Sequence, residues 1–276
     1  MPTLVPHDLT VAGLATRVYE AGDPANDTVI FVHDGAYGTD ALLAFGEVAE
    51  SLSADFHVLL PDLLGWGGSA KVHHFDQSLY APRLNHIAAL CDQLGVTRAH
   101  FVGNSFGGSL ILRASIAGVW PIRSAVSIAG TGGPWRSQTG ITAMADYRAT
   151  ETEARRISDL VVGSDAATEE HVARRLANSL IPGHWESLRA WGLRNPELPA
   201  TPPPADGYPE TLATVSTPIL LVAGSRDVMV EPGWQDRIVA AAPAVKAVVM
   251  DTGHSPNIDL PGEVEKVLRS FWSQVD

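Results

Sequence analysis

A serine stands among glycines in Gly103-Asn104-Ser105-Phe106-Gly107-Gly108, directly after an apolar run and directly before a helical pattern. A tight Gly-x-Ser-x-Gly turn between strand and helix holds its serine in a strained, outward conformation, and the flanking glycines leave close approach open. Ser105 then stands at a helix N-terminus, where the dipole and the backbone N–H of Phe106 stabilise an oxyanion. The chemistry is nucleophilic attack on a carbonyl. It needs a base to take the hydroxyl proton and an acid to orient that base. Asp227 closes Ala223-Gly224-Ser225-Arg226-Asp227 after the apolar run 219–222, and His254 lies in Asp251-Thr252-Gly253-His254-Ser255-Pro256 after the run 247–250. Of the ten histidines, His254 is the one in a loop after the final strand, and Asp251 is the second choice for the acid.

These residues must be positioned by an alternation of strands and helices. Segments 9–18 read as a hairpin turning at Ala12-Gly13. Runs 28–32, 56–60, 99–102, 124–128, 219–222 and 247–250 show no polar alternation, the mark of strands buried on both faces. Helical patterns occupy 41–52, 78–94, 106–117, 234–242 and 262–274. The expected fold is α/β, a mostly parallel sheet flanked by helices.

After Gly130 the alternation breaks for about 85 residues. The expected division is a core of residues 1–130 and 216–276 and a helical lid of 131–215, with helix-like stretches at 142–160, 168–180 and 184–193. A Pro-rich run at 201–209 cannot be regular helix or central strand. An excursion from the C-terminal edge of a parallel sheet sits where open α/β folds bind ligands. Trp135, Trp185 and Trp191 fall in or at its entrance and read either as an apolar cavity wall or as packing of the lid on the core.

The order Ser105, Asp227, His254, each after its own strand, resembles the α/β-hydrolase superfamily over nearly the whole chain. The resemblance implies a second oxyanion N–H at Gly35, in His33-Asp34-Gly35-Ala36-Tyr37-Gly38, where Asp34 replaces the usual Gly. Asp62-Leu63-Leu64-Gly65-Trp66-Gly67-Gly68-Ser69 looks like the family's structural Asp-x-x-Gly-x-Gly loop. Within the superfamily the chain is most similar to meta-cleavage product hydrolases, which hydrolyse carbon–carbon bonds, and to the esterases and lactonases around them. Asn104 and the lid segment Thr168 to Arg175 carry that likeness, which implies substrate contacts at Asn104 and, through a carboxylate, at Arg175; Trp135 is added as cavity wall. On a helix over 168–180, Arg175 shares a face with Val172 and Leu176, while Arg174 can pair with Glu170 on the solvent side. Ser255 stands where the group commonly has Trp. The leading expectation is a serine hydrolase of an ester or lactone. Carbon–carbon hydrolysis and a non-catalytic small-molecule receptor on the same fold are the alternatives.

Composition narrows the remainder. With 19 Lys+Arg against 31 Asp+Glu the formal charge is −12, which disfavours nucleic acid and anionic membranes as partners. The lone Cys91 excludes an intrachain disulfide, and no apolar run reaches spanning length, so a cytoplasmic protein is expected, its oligomeric state open. No cofactor or metal is expected. Gly65-x-Gly67-x-x-Ala70 fits a dinucleotide fingerprint but opens no helix, and His73-His74 with Asp76 has no spaced third ligand.

Overall fold

The unbroken apolar run Thr28–Val32 (β3) is a fully interior strand in the computed structural model, which describes residues 3–75, 78–145, 147–163, 166–193, 195, 197 and 206–275, without the side chain of Trp191. Among these residues eight strands form one sheet, in the order β1 (Val5–Val11), β2 (Leu14–Ala21), β4 (His57–Pro61), β3, β5 (Ala99–Asn104), β6 (Ile122–Ile128), β7 (Ile219–Gly224) and β8 (Lys246–Met250). Only β1 and β2 run antiparallel to their neighbours. Their hairpin turns on Ala12 and Gly13, both at positive φ, which suits the right-handed twist of paired strands.

Helices α1 (Ala41–Leu52), α2 (Ala81–Leu94) and α3 (Phe106–Ala117) alternate with the first strands. Four more, α4 (Gln138–Ala145), α5 (Glu151–Val161), α6 (Glu169–Ser179) and α7 (His184–Arg189), lie between β6 and β7. The chain ends through α8 (Trp234–Ala241), α9 (Pro256–Asp259) and α10 (Pro261–Trp272). The period of two along β3 feeds separate cores on the two faces of the sheet. Val29 and Phe31 pack with Phe45 of α1 and Leu268 of α10, and Ile30 and Val32 with Ile87 of α2 and Leu110 of α3.

From β3 the chain passes to β4 on one side and then to β5 on the other, so strand order reverses between β3 and β5. A crevice opens there at the strands' C-terminal ends, the usual ligand position in open α/β sheets. The loop after β3 and the turn after β5 form its walls. The expected single helix over 142–160 is instead two, α4 and α5. Thr150 explains the restart: its hydroxyl accepts the N–H of Glu153, capping α5. Of the Pro-rich run, residues 201–205 lie outside the described residues. Among the described residues no helix is long and apolar enough to cross a membrane.

Candidate active site

Ser105 links β5 to α3 at φ +53° and ψ −110°, a conformation that costs a residue with a side chain on the order of 1–3 kcal/mol. The turn is this sharp because α3 enters hard against β3: a Cβ on Gly107 would overlap the Val32 carbonyl oxygen. The Phe106 N–H opens α3 and has no partner within its helix. Gly35 lies beside it, the place of a Cβ on Gly35 being 2.9 Å from the Phe106 Cβ.

The loop after β8 brings His254 to the serine, with Nε2 2.8 Å from the Ser105 Oγ and Nδ1 2.7 Å from the Asp227 Oδ2. A carboxylate accepts, so Nδ1 carries the proton and Nε2 is left as the acceptor for the serine hydroxyl. The other Asp227 oxygen accepts the Met229 N–H at 2.8 Å, and the Asp227 side chain is only 2% exposed. Asp251 is turned to solvent, 85% exposed and paired with Arg226. The structure thus joins Ser105, His254 and Asp227 in one hydrogen-bonded chain and leaves Asp251 outside it.

The Asp34 that departs from the family pattern is buried, and its carboxylate is taken up by its own loop. Oδ1 accepts the Ala36 N–H at 2.8 Å and Oδ2 the Thr39 hydroxyl at 2.9 Å. His33 accepts the Leu63 N–H on Nε2 at 2.9 Å, so its proton sits on Nδ1 and is donated to the Asp34 carbonyl at 2.6 Å. Both contacts hold the chain around Gly35.

The crevice widens into a cavity of about 720 Å³ reached by Ser105 and His254. Its wall is mainly apolar, with Trp66, Phe106, Met144 and Leu188, and Trp185 of the insertion joins them. Three residues expected to contact substrate lie off the cavity wall. Asn104 is fully buried beneath the site; its amide donates to the carbonyls of His254 and Ile128 at 3.2 and 3.3 Å and accepts the Ser255 hydroxyl at 3.2 Å. It fixes the histidine loop, and Ser255 is its partner there. Trp135 stays off the cavity wall, its ring facing Arg237 of α8 at 5.7 Å and Tyr208 at 6.2 Å. Arg175 is on the buried face of α6, as its spacing implies, but that face meets the loop after β3. Its guanidinium donates to the Tyr37 carbonyl at 2.8 Å and the Ser158 hydroxyl at 3.0 Å, away from the cavity. Arg174 pairs with Asp40 at the start of α1, not with Glu170.

Other sequence candidates resolve into structure. Around Gly65-x-Gly67-x-x-Ala70 the chain folds about Asp62, whose carboxylate accepts the N–H groups of Ala41 and Gly68 at 2.9 and 2.7 Å. Burial, reinforced by Asp40, raises the pKa of Asp62. Among the described residues no cluster could hold a metal; Asp76 lies outside them. Sequence reasoning missed Arg83, which is buried 4.9 Å from the Trp66 ring and donates to the Leu64 and Leu79 carbonyls, bracing the cavity wall. The signal was present, since Arg83 shares its helix face with Ile87 and Leu90.

A model of the alpha/beta hydrolase family matches residues 29–267. The chain is similar to a 2-hydroxymuconate semialdehyde hydrolase of Pseudomonas putida, at 28% identity over 267 residues, 89% of this chain and 91% of that protein. It is also similar to a 2-hydroxy-6-oxo-2,4-heptadienoate hydrolase of Pseudomonas putida, at 27% identity over 179 residues, 64% of this chain and 63% of that protein. Less than two thirds of that second relative's length is therefore matched. Among solved structures, the 2-hydroxy-6-oxo-6-phenylhexa-2,4-dienoate hydrolase from Rhodococcus sp. strain RHA1 superposes with a TM-score of 0.84 at 21% identity, covering 99% of this chain and all of that one, a likeness of fold.

Proposed function

The chain belongs to the alpha/beta hydrolase family, and on that premise we propose that it is a serine hydrolase of small-molecule carboxylic esters or lactones, working through an acyl-enzyme on Ser105. The observation that carries this reading is the chain Ser105 Oγ, His254 Nε2, His254 Nδ1, Asp227 Oδ2 with links of 2.8 and 2.7 Å. His254 takes the hydroxyl proton as Ser105 attacks the carbonyl carbon, and the N–H groups of Phe106 and Gly35 receive the oxyanion. Collapse of the tetrahedral species breaks the bond to the leaving alkoxide, which takes the proton from His254. Water then attacks the acyl-enzyme by the same route, releasing the acid and restoring the serine. The helices between β6 and β7 act as the lid in this reading, and Trp185 touches the substrate.

Carbon–carbon hydrolysis is the second reading, favoured by the names of the similar Pseudomonas proteins. It loses support from Arg175, whose donors are engaged by Tyr37 and Ser158. One preparation assayed on short p-nitrophenyl esters, a lactone and a dienoate diketone separates the two. Ester or lactone turnover that falls by on the order of 10⁶ in Ser105→Ala, with loss of fluorophosphonate labelling, is expected. Turnover of the diketone alone replaces the ester reading with the second, and saturable binding with no turnover makes the protein a receptor.

A further inference from the structure

One cation faces the cavity without a partner. Arg136 lines it, yet among the described residues its guanidinium makes no hydrogen bond and no ion pair. Other arginines near the insertion are engaged: Arg113 with Asp206, Arg155 with Glu169, Arg174 with Asp40, and Arg189 with the Ala145 carbonyl. In a chain with a formal charge of −12, Arg136 thus offers free donors on the wall of a largely apolar cavity while remaining open to water.

The backbone around Arg136 is also held firmly. Arg136 bridges Val230 in antiparallel fashion, the Ser137 N–H donates to the Met229 carbonyl at 3.1 Å, and the Glu231 N–H donates to the Trp135 carbonyl at 2.8 Å. Met229 in turn donates its N–H to Asp227. The arginine is therefore fixed in register with the loop of the acid that orients His254. Hydroxyls stand beside the loop that leads to it: the Tyr80 hydroxyl is 3.3 Å from where a Cβ on Gly133 would stand, and Ser109 accepts the Gly132 N–H at 3.1 Å. Tyr80, Ser109 and Arg136 all line the cavity.

We propose that Arg136 is the specificity-determining residue of this cavity, and that the substrate is an ester carrying a carboxylate remote from the scissile carbonyl, seated on Arg136 while the carbonyl lies at Ser105. This rests on the hydrolase reading above and adds a substrate class to it. The contact is charge-assisted, and the Arg136 side chain keeps access to water, so its selectivity is about tenfold.

The test compares a mono-p-nitrophenyl ester of a dicarboxylic acid with the p-nitrophenyl ester of the monocarboxylic acid of equal length. A second pair places the carboxylate on the leaving group. In Arg136→Gln the ratio of kcat/KM for the anionic ester to that for the neutral one falls about tenfold in one of the two pairs, mainly through KM, and Arg136→Lys recovers part of it. Unchanged ratios in both pairs overturn the proposal, as does a selectivity that disappears in Arg175→Gln and persists in Arg136→Gln. If wild type hydrolyses no ester, the hydrolase reading fails separately, and the proposal is then judged by binding. Glutarate should raise the Tm of wild type more than that of Arg136→Gln, and equal shifts overturn it.

Discussion

The Nε2 of His184 accepts the backbone N–H of Gly38 at 3.0 Å. The accepting nitrogen cannot carry a proton, so the proton is on Nδ1 and goes to the Gly65 carbonyl at 2.8 Å. A side chain of the insertion thereby ties together the loop after β3 and the turn built on Asp62. Asn178 adds a bond to the Gly38 carbonyl at 3.1 Å and Arg175 one to the Tyr37 carbonyl. The insertion holds the backbone that presents Gly35.

His184→Ala leaves the Gly38 N–H unpaired in a buried place and takes from the Gly65 carbonyl its shorter hydrogen bond, and should cost about 1–3 kcal/mol in urea unfolding. On the hydrolase reading proposed above, it should also lower kcat more than it raises KM, because the loop that presents Gly35 loosens. Gly38→Ala should be worse: φ is +71° and the added methyl would overlap the Arg175 carbonyl oxygen. A Gly38→Ala protein as stable and active as wild type would show that the loop tolerates displacement.

Asp227→Asn replaces an acceptor for His254 Nδ1–H by a group that can donate, which favours the wrong tautomer. A kcat loss on the order of 10⁴ is expected, with little change in unfolding. Asp251→Asn removes an exposed pair with Arg226 and alters an exposed bond from the Ser225 hydroxyl, and should leave both quantities near wild type. The opposite ranking in steady-state assays would move the acid to Asp251.

Trp185→Ala should reorder a series of esters graded by size, since the ring lines the cavity. Trp135→Ala should preserve the order and lower stability instead, because its ring packs on Arg237 and Tyr208. Rates on the graded series together with Tm decide between these roles.

Acid lability follows from four buried histidines. Burial pushes the pKa of His86, His100, His171 and His184 down from 6.5 to about 4. Between pH 6.5 and 4 the unfolded chain binds protons that the folded one refuses. Their contribution to stability is thus intact above pH 6.5 and is lost as the pH falls toward 4, at up to about 1.4 kcal/mol per pH unit for each group. Unfolding titrations across this window should give a falling free energy with net proton uptake, and His184→Ala should reduce the slope. A flat profile would mean that these rings protonate within the folded protein.

What could be read from the sequence was what short-range sterics and periodicity dictate. The β-branched runs, the glycines around Ser105, and the placement of Asp227 and His254 just beyond apolar runs are local patterns, and they positioned the strands and the three residues of the candidate site. Helical spacing also placed Arg175 on a buried face, where it is fully enclosed. What that face meets was beyond its reach. Arg175 ends on Tyr37, Arg174 on Asp40 and Asn104 on the His254 carbonyl, each across more than 130 residues of chain. Periodicity specifies the direction of a side chain relative to its own helix. The partner is decided by which distant backbone groups the packed sheet and insertion bring within hydrogen-bond range, where a buried donor must find an acceptor. For the same reason nothing in the sequence marks Arg136, and only the fold sets it on the cavity wall, where among the described residues no carboxylate pairs with it.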